Sequence, residues 1–269
     1  MGSGKKKWLL VLVIAAVLLI LNGIFFWFYA KMNAQIQSNT EQYMLQNTEA
    51  IRKIFETRLN DQMEVLSSEA KALDGTALSS QADLLEVFPH ASTPGLFQEI
   101  GIMTLSGDTW DRSGGGLGNL AETEIYQGVM DGQSVISSRQ LLTENGVSVM
   151  VMAVPLYHDG VITGALYGTL SRSAMDTMVD TMRFSEDCGN ALLTEDLTIL
   201  GKSQNTNFFR NIMTRLNEQF STLTIPEDGR EAVQHAVYLH IRYGLFLSPV
   251  EGHDWYFLSV IPQTVIDAQ

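Results

Sequence analysis

One long uncharged segment near the N-terminus constrains this sequence more than any other feature. Trp8 to Ala30 is a run of 23 residues without a charged side chain, and Asn22 is its only strongly polar residue. As a helix this run would be roughly 35 Å long, enough to cross a hydrocarbon core of about 30 Å. Aromatic residues stand at both of its ends, where the membrane interface favours them. We therefore predict a transmembrane helix over residues 8–30.

A cleaved secretory signal peptide is the alternative interpretation of this segment. Its apolar core would hold about 7–15 residues and would end in a small-x-small cleavage site. Here the run is longer, and Phe28 and Met32 stand two positions before Ala30 and Ala34, where a small residue is needed. A retained helix is therefore favoured.

The charges on either side of the helix predict its orientation and limit the partners of the chain. Lys5–Lys7 precede the helix, so the positive-inside rule places residues 1–7 in the cytoplasm and residues 31–269 outside it. The latter carry 14 Lys and Arg against 30 Asp and Glu. So large an acidic excess argues against nucleic acid as a partner and against contact with an anionic membrane surface.

The composition excludes further classes of protein. A hydrophobic fraction of 45% rules out a disordered chain. The single cysteine, Cys188, rules out an intramolecular disulfide framework and a zinc site made of several thiolates. We leave open whether Cys188 is a partly buried free thiol or cross-links a dimer.

A long helix is predicted directly after the membrane segment. Residues 31–73 contain neither Pro nor Gly, and Gly75 is a plausible stop. Apolar residues recur with helical spacing at Met44, Ile51, Phe55, Leu59, Met63, Leu66, Ala70 and Leu73. The polar half before them, Asn33–Gln42, would protrude from the membrane as a stalk, which would dimerise or dock on its own domain.

Two α+β units are predicted after this helix, each in the order strand, turn, strand, helix and further strands. A short helix over Gln81–Phe88 would come first. The strands of the first unit are Leu96–Leu105, Thr109–Arg112, Ser134–Leu142, Val147–Tyr157 and Val161–Ser171, with helices over Glu122–Met130 and from Ser171 or Ser173 to Met182. The strands of the second are Asn190–Leu193, Thr198–Gly201, Ala232–Tyr243, Gly244–Val250 and Trp255–Ile261, with a helix over Phe208–Phe220 and a last one that could begin at Pro262.

This order resembles the extracytoplasmic double Cache sensor domains of bacterial transmembrane receptors. Four stretches carry the resemblance: the long juxtamembrane helix, the helix segment Ala121–Gly132, the hairpin from Ala153 to Leu170, and Trp255–Pro262. The resemblance implies two tandem PAS-like antiparallel sheets. The expected domains are a cytoplasmic N-terminus (1–7), the transmembrane helix (8–30), the juxtamembrane helix (31–74), a membrane-distal module (75–185), a membrane-proximal module (186–262) and the start of a linker to a second membrane helix (263–269).

The resemblance also implies a ligand pocket in the distal module. Side chains expected to line it are Trp110, Arg112, Tyr126, Met150, Met152, Tyr167 and Thr169. Core packing remains the alternative for the two methionines. Arg112 is the one nearby group that could hold a carboxylate with two hydrogen bonds.

The amino-acid-binding members of the family carry an Arg-x-Trp-Tyr-like stretch on the helix after the hairpin and an Asp on the last distal strand. In this sequence Thr123, Ile125 and Tyr126 fall on the first three of those positions, and Thr169 falls on the fourth. Three of the four positions differ, so neutral or weakly polar ligands, small carboxylates or no ligand remain open.

No sequence pattern predicts catalysis, a cofactor or a metal. Gly116–Ala121 fits G-x-G-x-x-A, but it follows a hairpin rather than a single parallel strand, which favours a loop beside the pocket. The five histidines form no tight ligand pair, and no serine or cysteine lies in a nucleophile motif. We therefore expect no enzyme activity, no cofactor and no metal site.

The expected function is that of a small-molecule-sensing domain of a bacterial membrane receptor. A homodimer would pass the signal to a cytoplasmic output belonging to the same longer chain. One alternative is the regulatory part of a diguanylate cyclase or histidine kinase. A membrane-anchored extracytoplasmic enzyme is a second, and a structural or protein-binding ectodomain without a small-molecule ligand is a third.

Overall fold

The structure is a computed structural model that describes residues 3–75, 82, 86–87, 95–180, 187–204, 223–226, 229–238 and 240–266. The predicted helix Phe208–Phe220 lies outside these residues, and Gln81–Phe88 lies largely outside them. The helices described are α1 (Ser3–Ala72), α2 (Glu124–Met130), α3 (Arg172–Asp180) and α4 (Gln263–Ile266). The first group of strands is β1 (Glu99–Thr104), β2 (Thr109–Asp111), β3 (Val135–Ile136), β4 (Leu141–Leu142), β5 (Ser148–His158) and β6 (Val161–Ser171). The second group is β7 (Gly189–Thr194), β8 (Ile199–Lys202), β9 (Ala232–Tyr238), β10 (Ile241–Pro249) and β11 (Trp255–Pro262).

Helix α1 is continuous through the predicted membrane segment and the predicted stalk. Its 70 residues give a length of roughly 105 Å. Every residue from Val17 to Asn39 is exposed, and burial begins at Met44, where the predicted apolar stripe begins. Among the described residues α1 is the one helix whose length and composition suit a membrane span. The helix therefore stands free of the described part of the chain over residues 17–39 and packs on it from Met44 onward.

Each group of strands forms one antiparallel sheet. The first sheet has the order β2-β1-β6-β5-β3, with β4 also paired to β5, and the second has the order β8-β7-β11-β10-β9. In both, the first hairpin lies beside the last strand of its group, and after that hairpin the chain continues at the opposite edge and steps inward to the last strand. The duplication expected from the sequence is thus present in the strand order, and the α+β class is confirmed.

The first sheet is buried on both faces, which explains its long apolar strands. One face packs on α1, with Ile100 and Ile102 of β1 and Leu166 and Leu170 of β6 in a core shared with Phe55. The opposite face has its own core, which includes Met103, Val151 and Tyr167 and packs on α2. Successive residues of a strand alternate between these two faces.

The predicted strand Ser134–Leu142 is interrupted. Val135 and Ile136 pair with Ala153 and Met152, and Leu141 and Leu142 pair with Val149 and Ser148. Four residues, 137–140, therefore stand opposite the two residues 150–151 of β5, which makes a bulge. Ser137 fills it, because its hydroxyl accepts a hydrogen bond from Val151 N at 3.0 Å and its own N–H donates to Val151 O at 2.8 Å. The alternating sequence contains no Gly or Pro that would reveal this break.

The predicted boundary between Ala232–Tyr243 and Gly244–Val250 is also wrong. The chain reverses between Tyr238, where β9 ends, and Ile241, where β10 begins, and these two residues are paired. His240 makes this turn possible with φ of 64°. A positive φ is uncommon for histidine, so the sequence contains no ordinary turn signal here.

The two sheets meet beside α1. Trp255 of β11 is completely buried, and its indole Nε1–H donates to Ser138 O in the bulge at 2.7 Å. Gln140 Nε2 donates to Leu200 O at 3.3 Å, and Glu251 N donates to Glu56 Oε1 of α1 at 2.7 Å. The bulge of the first sheet and the β10–β11 turn of the second are therefore the points at which the two units are joined.

Candidate ligand-binding site

A cavity lies on the face of the first sheet that is turned away from α1. It encloses about 130 Å³, measured as the space open to a water-sized sphere. A single water needs roughly 10–15 Å³ by this kind of measure, so a small organic molecule fits. Its walls come from β1, β2, β5, β6 and the loops 113–117 and 143–147. The lining residues are Gln98, Glu99, Asp111, Ser113, Gly116, Leu117, Thr143, Asn145, Val147, Val149, Tyr167 and Thr169.

Strand register brings the polar wall of the cavity together. Glu99 is directly opposite Thr169, and Gly101 is opposite both Tyr167 and Asp111. A Cβ atom on Gly101 would lie 2.3 Å from the Tyr167 hydroxyl oxygen and 2.4 Å from Trp110 O. Only glycine therefore lets the phenol lie flat across β1 towards Asp111.

Asp111 is held by the glycine-rich loop that follows it. The carboxylate is 8% exposed. Its Oδ1 accepts hydrogen bonds from Ser113 N at 2.9 Å, Ser113 Oγ at 2.6 Å and Gly115 N at 3.0 Å. No described hydrogen bond goes to its Oδ2. The loop 113–116 thus fixes one carboxylate oxygen and leaves the other without a protein partner among the described residues.

The Tyr167 hydroxyl is the second polar group that the protein leaves unused. The side chain is 1% exposed, and its oxygen has no hydrogen-bond partner among the described residues. Burial raises the pKa of the phenol far above its usual range, and the negative charge of Asp111 raises it further. The Thr109 hydroxyl, which lies near the phenol oxygen without reaching hydrogen-bond geometry, acts on the pKa in the opposite direction. The phenol therefore keeps its proton at any physiological pH.

Two of the seven residues predicted from the sequence line this cavity, Tyr167 and Thr169. Thr169 is 4% exposed, and its hydroxyl accepts a hydrogen bond from Glu99 N at 3.2 Å. Thr169 is also the residue opposite Glu99 in the β1–β6 register, so it holds the backbone of Glu99 in position in the cavity wall.

Trp110 and Arg112 do not line the cavity. Trp110 is opposite Ile102 of β1 and so belongs to the α1 face of the sheet. Arg112 Nη2 lies 3.5 Å from Glu99 Oε2, and its side chain is 10% exposed. The guanidinium therefore contacts Glu99 from outside the cavity and does not line the cavity itself.

The two methionines lie on the opposite face from the one predicted. Met150 and Met152 pack with Phe55 and Leu66 of α1, and Val149 and Val151 face the side of the cavity. The alternation in the sequence correctly puts both methionines on one face, but a period of two does not say which face holds a ligand. Tyr126 lies on α2, where its hydroxyl donates to Leu105 O at 2.7 Å, and it does not line the cavity.

Sequence reasoning missed Glu99 and Asp111 as wall residues. The available signal was the pattern Asp111-x-Ser113-Gly114-Gly115, which is typical of a carboxylate that binds the backbone N–H groups of the turn after it. Among the described residues, no group of three His, Cys, Asp or Glu side chains could hold a metal ion.

Comparison with known proteins identifies the fold but gives no match in sequence. No family model and no curated protein matches the chain. The ligand-binding domain of the Pseudomonas fluorescens chemoreceptor CtaA in complex with L-isoleucine superposes with a TM-score of 0.65 at 14% identity, covering 87% of this chain and 96% of that one. The ligand-binding domain of Pseudomonas aeruginosa PctB in complex with L-Arg gives 0.63 at 17% identity, covering 86% and 99%. The domain of the Pseudomonas aeruginosa amino-acid chemoreceptor PctC in complex with GABA gives 0.60 at 15% identity, covering 82% and 99%.

These similar structures are ligand-binding domains of bacterial chemoreceptors. Their likeness covers 82–87% of this chain, so it concerns the whole arrangement and not one hairpin. The chain has the fold of the ligand-binding domains of bacterial chemoreceptors, two tandem PAS-like modules of the double Cache type behind a long N-terminal helix.

Proposed function

We propose that this chain is the extracytoplasmic, small-molecule-sensing part of a bacterial membrane receptor, anchored by residues 8–30. The observation that carries the proposal is the cavity in the first module. Its wall contains the buried Tyr167 hydroxyl, which has no described hydrogen-bond partner, and Asp111 Oδ2, which accepts no described hydrogen bond. Buried polar atoms normally find a partner, so this wall is suited to a ligand that supplies one. Similar structures were solved with amino acids or GABA bound, which supports a small polar ligand.

The position of the cavity suggests how a ligand could act on the membrane helix. Strand β6 contributes Tyr167 and Thr169 to the cavity and, on its other face, Leu166 and Leu170 to the core shared with α1. A ligand that draws β1, β2 and β6 together would therefore shift the surface on which α1 packs. Close-packed cores transmit such shifts because they have little free volume. A ligand that prefers the closed wall shifts the equilibrium by its difference in affinity for the two states.

A homodimer along α1 is part of the proposal. Met32, Ile36, Tyr43 and Ile54 are each between 42% and 55% exposed. At 100° per residue these four lie within an arc of about 40°. They form a second apolar stripe, separate from the buried one that begins at Met44, and an apolar stripe on a protruding helix favours pairing with another helix.

In this receptor the N-terminus would be cytoplasmic, as Lys5–Lys7 predict, and the output domain would belong to the same longer chain. That output could be a cyclase, a kinase or a chemotaxis transducer. The alternative of a protein-binding ectodomain requires the module to be filled, and the cavity of about 130 Å³ favours the sensing function instead.

The test uses the full chain in lipid nanodiscs and a library of small metabolites, with the melting temperature as the readout. A ligand at 100 times its Kd should stabilise the fold by about 2.7 kcal/mol. Asn145 is an exposed lining residue, so Asn145→Trp should block the mouth of the cavity without disturbing the core. Val161→Trp is the matched control, because Val161 is 65% exposed and does not line the cavity.

The proposal predicts that one chemical class raises the melting temperature of the wild type and of Val161→Trp, and fails to do so in Asn145→Trp. A library without any stabilising compound would refute small-molecule sensing by this chain. A stabilising compound that still acts on Asn145→Trp would place the ligand elsewhere.

A further inference from the structure

The charges around the cavity are one-sided, and this restricts the chemistry of a ligand. Its described lining residues include two acids, Glu99 and Asp111, and no lysine, arginine or histidine. Glu144, in the loop next to Thr143 and Asn145, adds to the negative potential at Tyr167. A carboxylate ligand would meet these acids without a cation among the described wall residues to balance it.

The two acids differ in what surrounds them. Glu99 Oε2 is paired with Arg112 Nη2 at 3.5 Å, so its charge is largely balanced by a guanidinium that stays outside the cavity. Asp111 has no described ion pair, and its Oδ1 is taken by the three donors of the loop 113–115. One negative charge, carried by a carboxylate that is 8% exposed, therefore remains uncompensated at the wall.

The Tyr167 hydroxyl is a second, independent indication that a ligand supplies a hydrogen-bond partner beside Asp111. It is buried, unpartnered among the described residues, and lies over Gly101, the residue paired with Asp111. A hydroxyl can accept one hydrogen bond and donate another. An ammonium group between Asp111 Oδ2 and this oxygen would satisfy both, since it offers three donors and a positive charge.

The rest of the described wall is uncharged and mixed, with Gln98, Ser113, Thr143, Asn145 and Thr169 as its polar side chains and Leu117, Val147 and Val149 as its apolar ones. Amide and hydroxyl groups suit hydroxyl or amide functions on a ligand. We propose that the cavity binds a small hydrophilic amine without a carboxylate, with its ammonium against Asp111 Oδ2 and the Tyr167 hydroxyl. This inference rests on the proposed function and names the ligand class of the same site.

The contrast with the similar receptor domains is chemical. The compounds bound in those structures, L-isoleucine, L-Arg and GABA, each carry an ammonium and a carboxylate. In this chain Thr123 caps α2 by accepting from Tyr126 N, and Ile125 is buried in the core, so neither offers a cation for a carboxylate.

The experiment is isothermal titration calorimetry of the full chain in nanodiscs with three matched series of probes. These are short-chain amino alcohols beginning with ethanolamine, diols of the same lengths beginning with ethylene glycol, and hydroxy acids beginning with glycolate. Glycine serves as the zwitterionic comparison. The inference predicts that an amino alcohol binds, that the matching diol binds about tenfold or more weakly, and that hydroxy acids and glycine do not bind.

Variants locate the binding. Asp111→Asn keeps the Oδ1 acceptor for the loop and removes the charge, so it should weaken amine binding by about tenfold or more. Tyr167→Phe, which leaves the charge in place, should weaken it as well. Asp159→Asn is the matched control, because the Asp159 side chain is 92% exposed in the β5–β6 turn and touches no part of the cavity.

The results separate this inference from the proposed function. A hydroxy acid, a diol or glycine that binds better than every amino alcohol would overturn the amine assignment and leave small-molecule sensing standing. Unchanged amine binding in both Asp111→Asn and Tyr167→Phe would also overturn it. If one of these variants proves unstable, unchanged amine binding by the other overturns it. If no probe binds while the metabolite library contains a stabilising compound of another class, the amine assignment alone is wrong.

Discussion

The buried hydroxyl of Tyr167 lowers the stability of the unliganded protein. Its hydroxyl oxygen is buried without a described partner, and an unsatisfied buried polar group costs about 1–3 kcal/mol. Tyr167→Phe should therefore leave the unliganded protein equally stable or up to about 2 kcal/mol more stable, while reducing its affinity for a ligand.

Urea unfolding of the full chain, followed by circular dichroism, measures this change. Tyr126→Phe is the matched control, because its hydroxyl donates to Leu105 O and its loss should destabilise by about 0.5–1.5 kcal/mol. A Tyr167→Phe variant that loses more stability than Tyr126→Phe would contradict the interpretation of Tyr167 as a ligand partner.

His253 makes the stability of the second module depend on pH. It stacks on Trp255 with ring centroids 4.3 Å apart. Burial lowers the pKa of its imidazole, while the charges of Glu56 and Asp254 act in the opposite direction. Because the unfolded chain then binds a proton more readily than the folded one, the stabilising contribution is complete above the unfolded pKa of about 6.5 and is lost as the pH falls through the lowered folded value.

Melting temperatures measured between about pH 7.5 and pH 5 test this prediction. The wild type should lose more stability towards low pH than His253→Phe, which keeps the ring stacking and removes the titrating group. Equal slopes for the two proteins would show that the pKa of His253 does not differ between the folded and unfolded states. His158, which is half exposed in the β5–β6 turn, provides His158→Phe as the control.

At the scale of elements, the bulge between β3 and β4 carries the contact between the modules. The Trp255 indole donates to Ser138 O, which belongs to the four residues that stand opposite two on β5. Trp255→Phe removes this donor, leaves the carbonyl unsatisfied in a buried site, and should destabilise by about 1–3 kcal/mol.

The same change at Trp110 is the control, because Trp110 is half-buried at the edge of the first sheet and has no described hydrogen bond. Urea unfolding with separate probes in the two modules provides the measurement. Trp255→Phe should also separate the two transitions, since the contact that couples them is weakened. Coincident transitions with an unchanged midpoint would show that the bulge does not join the modules.

Much of the fold could be predicted from the elements that have regular periods. The stripe from Met44 to Leu73 predicted the buried face of α1, and the hairpins that end in Gly146 and Gly160 were placed correctly because glycine marks a positive φ. The turn at His240 could not be predicted, because a histidine in that conformation leaves no compositional signal.

The candidate site was harder to predict than the fold for a physical reason. Alternation puts Met150 and Met152 on one face and Val149 and Val151 on the other, but both faces of this sheet are buried, so composition does not distinguish them. Asp111 lies in the wall because β2 pairs with β1 in a register that puts Asp111 opposite Gly101. That register depends on tertiary structure and cannot be derived from the local sequence. Tyr167 and Thr169, which the resemblance suggested on the last strand of the module, do lie in the cavity wall.

At the scale of the whole molecule, the exposed stripe on α1 predicts a parallel dimer. Ile36→Cys in a Cys188→Ser background should form a disulfide-linked dimer in nanodiscs under mild oxidation. Gln42→Cys, also exposed but about 120° away around the helix, should cross-link much less. Equal cross-linking of the two variants, measured by non-reducing electrophoresis, would contradict pairing along this stripe.

The central claim is that the cavity of the first module is the sensory site. Hydrogen exchange of the full chain, measured with and without the compound that raises its melting temperature most, tests this claim directly. The account predicts slower exchange in residues 98–117 and 143–149, around Asp111 and the loop that holds it, with the β7–β11 sheet unchanged. Protection confined to the second sheet, with no change in residues 98–117, would contradict it.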